Sequence, residues 1–237
     1  MNKIHPSVVL GPDVELGERN VIGPYVVILG PCRLGDDNWL GPHVTIGGPP
    51  EIRGHEHPAW DEPGHSAGIV IGDRNVFREF TCVHQPSHGR SSIGDDCYLM
   101  NKVYIAHDTV VGDRVTMASS VTMGGHVQVG DAANLGMGAV VHQRRVVAPG
   151  AMVGMGAVIT RDVPPYALTY GNPARVRGVN RVGMQRAGVP DAAMDALAAA
   201  YRADASPEAV PGPVDRYPEL AEAFAWWEKA RGGGSAA

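Results

Sequence analysis

Apolar residues recur every six positions along this chain: Ile4, Leu10, Leu16, Ile22, Ile28, Leu34, Leu40 and Ile46. The series pauses, resumes at Ile71, Phe77 and Val83, pauses again, and runs unbroken through Ile93, Leu99, Ile105, Val111, Met117, Met123, Val129, Leu135, Val141, Val147, Val153 and Ile159. Neither an α-helix nor a meander of hairpins has a period of six. A six-residue unit is one short strand plus a turn, and three such units close a triangular coil that stacks in parallel on the next, about 4.8 Å higher. The spacing therefore predicts an all-β solenoid, a parallel β-helix of hexapeptide repeats. Its 23 anchors make seven to eight coils. Parallel crossovers are normally right-handed, and the spacing does not reveal the hand.

Glycine follows the anchor at residues 11, 17, 23, 35, 41, 47, 72, 94, 112, 124, 130, 136 and 154, where it is expected to supply turn conformations closed to other residues. Gly and Pro together are one residue in five, which argues against an all-helical chain. With 44% hydrophobic residues, periodically placed, the chain is not disordered either. Only 19% of residues are charged, so the flanks are expected to be shared with partner chains.

The pauses mark excursions at residues 52–70, rich in Gly, Pro and His, and at 89–92. Beyond Asp162-Val163-Pro164-Pro165 the hexads stop, and two helical patterns follow, Met194/Leu197/Tyr201 and Leu220/Phe224/Trp227. The predicted organisation is a β-helix over 1–166 with the 52–70 insertion, then a small α-helical region over 167–237 whose Gly-rich tail, 232–235, is disordered. No apolar stretch approaches the roughly 18 residues of a membrane span or forms the core of a signal peptide. Cys32, Cys82 and Cys97 form neither a disulfide framework nor a CxxC knuckle, and the net charge is −5. These features read as a cytoplasmic protein with no nucleic-acid partner and no membrane insertion.

One coil is eighteen residues, so anchors 105, 123 and 141 share a face, and counting back across the short pause adds anchor 83. His84, His107, His126 and His142 follow these anchors by one to three residues and form a column, four of the chain's ten histidines. Such a column is polar decoration or a site. A site would use an imidazole as general base, at about 10² to 10⁴ in rate, or three imidazoles on a metal. The long excursion offers His55, Glu56, His57, Asp61 and His65 as a weaker ligand set. Seven arginines between 144 and 186, against the single acid Asp162, suggest a surface for phosphates or an acidic carrier.

Several stretches resemble the UDP-N-acetylglucosamine O-acyltransferase family: Ile71-Gly72-Asp73-Arg74-Asn75 through Arg78-Glu79, Ile105-Ala106-His107-Asp108, Gly124-Gly125-His126, Ala139-Val140-Val141-His142-Gln143, Asp162-Val163-Pro164-Pro165-Tyr166, Gly171-Asn172, Gly178-Val179-Asn180 and Tyr217-Pro218-Glu219. The resemblance implies a left-handed β-helix, a homotrimer, and acyl transfer from an acyl-carrier-protein or CoA thioester of phosphopantetheine to a hydroxyl or amine of a sugar nucleotide, without metal or other cofactor. It implies His107 as base, Asp108 as its partner, and Gly125 as an oxyanion donor worth about 10² to 10³. His84, Met100, Tyr104, His126, His142, Gln143, Met155 and Arg161 would line the donor and acceptor cleft, with Asn180 and Arg186 near nucleotide or pantetheine phosphate.

Three positions depart from that pattern. The 52–70 excursion lacks the family's Gln-Asp-Leu-Lys-Tyr motif, Tyr104 stands where the family has His, and Met155 stands where long-chain members have Gly. Met155 is expected to restrict the acyl group, 3-hydroxy acyl included, to short or medium length. The altered loop and 17 Arg against 3 Lys keep a specialised-metabolite acceptor as a rival. The rivals of other classes are a non-catalytic β-helix binding protein and a metal enzyme like the carbonic anhydrases built on this repeat. The latter expects histidines five residues apart, yet five after His107 stands Gly112.

Overall fold

The computed structural model describes residues 1–62, 66–203 and 212–232. The hexads wind into a three-sided parallel solenoid, with every eighteenth residue stacked in register: Lys3 on Val21, Val21 on Trp39, Tyr104 on Thr122, Thr122 on Val140. The first face holds residues 3–4, 21–22, 39–40, 76–77, 98–99, 116–117, 134–135 and 152–153. The second holds 9–10, 27–28, 45–48, 82–84, 104–105, 122–123, 140–141 and 158–159, and the third runs from 14–16 to 146–147. Eight rungs on the first two faces match the upper end of the expected count, and strand Ala167–Gly171 adds a ninth on the first. Every anchor from Ile22 to Ile159 is buried, while Ile4 and Leu10 in the first coil stay about 40% exposed. Each buried aliphatic anchor contributes roughly 1.5 to 3 kcal/mol.

The glycines work differently from expectation. Of the thirteen that follow an anchor only Gly47 has positive φ, +90°. The left-handed turn residue is instead the third after the anchor, and it is seldom glycine: Asp13, Arg19, Tyr25, His43, Phe80, Lys102, Asp108, Ser120, His126 and Arg144 all have φ near 60°. That conformation aims the turn N–H at the coil below, as in His126 N–H to the His107 carbonyl, 3.0 Å, and Arg144 N–H to the Gly125 carbonyl, 2.9 Å. These bonds offset the roughly 1 to 2 kcal/mol that a non-glycine residue loses there. Glycine is needed after the anchor because the next coil fills its Cβ space. At Gly94 an added Cβ would lie 2.1 Å from an Asp113 oxygen. The second residue after the anchor donates no coil-to-coil backbone bond, which is why Pro6, Pro12, Pro24, Pro42 and Pro149 fit there.

Both excursions have shifted bounds. The long one leaves after Gly48 and ends before Ile69, because Ile69–Ile71 is already a strand paired to Cys32–Leu34. The short one occupies residues 85–90, since Ser91–Ile93 pairs with Ile69–Ile71. Residues 167–179 are not helical: Ala167–Gly171 extends the first face and turns back antiparallel through Ala174–Val179. Among the described residues three α-helices follow, α1 (Arg181–Arg186), α2 (Asp191–Ala203) and α3 (Ala221–Gly232). The expected apolar faces of α2 and α3 are buried, and the Tyr201 hydroxyl donates to the Pro165 carbonyl at 2.7 Å. Gly232 closes α3, so it is not part of a tail, and 233–235 lie outside the described residues.

Candidate active site

The corner joining the second and third faces carries His107 and Asp108 in the fifth coil and Gly125 and His126 in the sixth. His107 Nδ1 donates to Asp108 Oδ2 at 2.7 Å, which leaves Nε2 as the imidazole's proton acceptor. The Asp108 side chain is only 2% exposed. Its two oxygens also accept the Ser87 hydroxyl (2.5 Å) and the backbone N–H groups of Ser87 (3.0 and 3.1 Å), His88 (3.2 Å) and Gly89 (2.7 Å). Burial opposes its charge, but the Ser87 hydroxyl, His107 and these amides outweigh burial, so the carboxyl titrates well below the usual range.

Gly125 lies directly against the base. A Cβ there would sit 2.4 Å from His107 Cε1 and 2.5 Å from Nε2. Gly125 is the second residue after its anchor, whose N–H takes no part in the coil-to-coil backbone ladder, and among the described residues no side chain accepts it either. A proton-accepting nitrogen and a free backbone donor are thus adjacent. His126 packs edge-on to His107, ring centroids 5.2 Å apart, with Nε2 3.7 Å from Asp108 Oδ2. Burial, helped by the charges of Arg144, His107 and His88 and opposed by Asp108, lowers its pKa and keeps it neutral at pH 7.

Potential ligand atoms of His107, Asp108 and His126 all lie within 4.8 Å of one another. The carboxylate, however, already accepts six contacts and has no lone pair left for a cation. The arrangement is that of a hydrogen-bonded base.

The other expected residues are dispersed. His142, Gln143 and Arg161 occupy the same corner one and two coils higher, and His142 Nδ1 meets the Gln143 carbonyl at 3.1 Å. Only His107 and His126 of the histidine column are in ring contact. His84 turns to the base of the long excursion, with Nδ1 3.0 Å from the Pro49 carbonyl and Nε2 3.0 Å from Glu51 and 3.2 Å from Cys82 Sγ. Burial opposes its charge, but these partners raise its pKa to about 10. The Tyr104 ring packs beside it at a tilt of 51°, ring centroids 5.3 Å apart. Met100 and the 75% exposed Met155 sit at the corner between the first and second faces, away from His107 within one chain. Asn180, expected at a phosphate, spends its amide inside the fold. Its oxygen caps α1 at the Gly183 N–H, 3.0 Å, and its nitrogen donates to the Gly150 carbonyl, 2.9 Å. Arg186 is exposed in the last turn of α1. Part of the basic end is neutralised, with Arg145 on Asp162 at 3.3 Å and Arg181 on Asp195.

The long excursion folds back over the same corner lower down. Trp60, Pro58, His55 and Glu62 enclose a pocket floored by Leu29 and Gly30 and bordered by Ser87. His65 lies outside the described residues. Ser87, His88 and Gly89 escaped the sequence reading. The signal for them was the four-residue stretching of the interval between anchors 83 and 93, one coil before His107.

Fold and site together define a hexapeptide β-helix with an imidazole base set between a buried carboxylate and a free backbone N–H. Residues 162–205 match the model of UDP N-acetylglucosamine O-acyltransferase domain 2, and residues 1–30 and 90–125 match the bacterial transferase hexapeptide repeat. Curated acyl-[acyl-carrier-protein]–UDP-N-acetylglucosamine O-acyltransferases of Verminephrobacter eiseniae and Burkholderia multivorans are 38% and 39% identical over 142 and 145 residues. These matches cover 59% and 60% of this chain and 54% of each relative, so the chain spans about half the length of the curated relatives it matches. The solved UDP-N-acetylglucosamine acyltransferase of Acinetobacter baumannii superposes with TM-score 0.73 and 26% identity over 96% of this chain and 95% of its own. The Arabidopsis enzyme gives 0.69 and 26%, over 93% and 87%. A mirror-image coil does not superpose, so the solenoid shares the left-handed winding of these structures. The chain is thus similar in fold and in sequence to the UDP-N-acetylglucosamine acyltransferases built on hexapeptide-repeat β-helices.

Proposed function

We propose that the chain is an acyltransferase carrying a short- or medium-chain acyl group from an acyl-carrier-protein thioester to a hydroxyl of a sugar nucleotide of the UDP-N-acetylglucosamine type. His107 Nε2 accepts the proton of the acceptor hydroxyl as its oxygen bonds to the thioester carbonyl carbon. The resulting oxyanion accepts from the Gly125 N–H. Collapse re-forms the carbonyl, breaks the C–S bond, and expels the pantetheine thiolate, which takes the proton back from His107. Asp108 keeps the His107 tautomer fixed and stabilises the transient imidazolium.

The observation that supports the reading is the close approach of Gly125 to the His107 imidazole, which suits a base and a backbone donor acting on one reacting centre. His126, neutral at pH 7, His142, Gln143 and Arg161 extend the cleft upward, with His84 and Tyr104 below. Met100 and Met155 come from the neighbouring corner and reach the cleft from an adjacent subunit of a trimer. In that assembly Met155 limits acyl length and Arg186 faces the carrier's phosphate. The test is consumption of a hydroxyacyl-carrier-protein thioester with UDP-N-acetylglucosamine. His107→Ala is expected to lose about 10³-fold or more in kcat with an unchanged melting temperature. Turnover at the wild-type rate removes the base from this site.

A further inference from the structure

The extra residues of the short excursion form a cradle for one carboxylate. Three consecutive backbone N–H groups, of Ser87, His88 and Gly89, and the Ser87 hydroxyl all converge on Asp108. The hydroxyl has one hydrogen, and the 2.5 Å contact to the carboxylate uses it. The 3.0 Å contact between Ser87 Oγ and His88 Nδ1 therefore has His88 as donor. An unbroken hydrogen-bonded path thus runs from His88 Nδ1 through Ser87 Oγ and Asp108 Oδ2 to His107 Nδ1.

We propose that His88, an exposed residue of this excursion, is a positioning residue that sets the basicity of His107 through Ser87 and Asp108. Protonated His88 puts a cation on the far side of the carboxylate that must stabilise the His107 imidazolium, and so weakens the base. Neutral His88 leaves that carboxylate to His107. Asp108 on its own turn pairs with His107, and the His126 ring, itself influenced by Arg144, packs against it from the coil above.

The inference deepens the acyl-transfer reading, yet it can be tested without turnover. His88→Asn keeps a donor for Ser87 Oγ and removes the titration. Imidazole resonances of His107 followed by NMR from pH 5 to 9 are expected to show roughly threefold tighter proton binding in His88→Asn than in wild type, and a titration closer to a single step. If the two His107 curves coincide, His88 does not act on the base, whatever the protein catalyses. In the acyl-transfer assay the acid limb of kcat/KM should be broader in wild type than in His88→Asn, with turnover at pH 8 within about twofold. Equal steepness in the two proteins also overturns the assignment. A pH-independent loss in His88→Asn would show a merely structural contact, and overturns it as well.

Discussion

Two corners of the prism are made from the same six-residue unit and have come to opposite ends. At the corner between the third and first faces, neighbouring coils lock into each other by repetition. Asp36, Asp73, Asp95, Asp113 and Asp131 each accept the backbone N–H of the corresponding residue one coil below, at 2.7 to 3.0 Å. Their oxygens fill the space a Cβ would need at Gly17, Gly35, Gly72, Gly94 and Gly112. Asn20, Asn38 and Asn75 form a second ladder inside, closed by Cys97. Arg19, Arg74 and Arg114 bridge the acids from outside. At the corner between the second and third faces the same slots hold His107, Asp108, Gly125, His126, Gln143 and Arg144, with no repetition and a free N–H. The regular corner spends its polar groups on itself. The irregular one keeps them for something else.

The largest break in that comparison is expected from Asp108→Asn. The amide nitrogen, itself a donor, would face the donors that the carboxylate oxygens accept, so activity should fall by about 10³ and stability by about 3 to 5 kcal/mol. Because folding lowers the Asp108 pKa, its contribution is fully present above about pH 3.9 and fades as pH falls towards the folded value. Thermal melts of wild type and variant should therefore stay apart at pH 7 and draw together only below about pH 4. A constant gap across that range would contradict the assignment.

Asp113→Ala tests the regular corner. Loss of one partly exposed hydrogen bond should cost about 1 kcal/mol, or 2 to 4 °C in Tm, and leave acyl transfer at the wild-type rate. A large loss of activity would mean that the two corners are not separable. The smallest effect is expected at Met155→Gly. Total turnover should change little while the ratio of longer to shorter acyl groups rises by roughly tenfold, measured over a ladder of thioester lengths. An unchanged ratio rules out a role in measuring the chain.

The solenoid was legible because anchors such as Ile105 and Met123 face a narrow interior that tolerates only apolar groups, so every anchor on either side of the two pauses is apolar. Eighteen-residue counting also brought His107 and His126 together, whereas Gly125 came from the family resemblance. The same arithmetic puts Met155 and Met100 at another corner, a separation that goes unseen when residues are matched to a family pattern one by one. Ser87 and His88 were hidden because an insertion has no register. The role of glycine was misread because a missing Cβ serves crowding as well as φ, and the sequence does not distinguish the two. The hairpin across Asn172 and Pro173 and the six-residue α1 were too short to show a period of their own.

The third slot after each anchor has one further property. Its backbone keeps the same left-handed turn whether it bears Tyr25, Phe80, Lys102, Asp108 or His126, and at Phe80, Lys102 and His126 the turn N–H bonds to the coil below. The scaffold is therefore indifferent to what is mounted there. Each edge of the prism is a rack of identical sockets about 4.8 Å apart, on which a reactive group can be raised or lowered by whole steps without redesigning the backbone. In such a molecule the distance between a base and a recognition group is a count of coils.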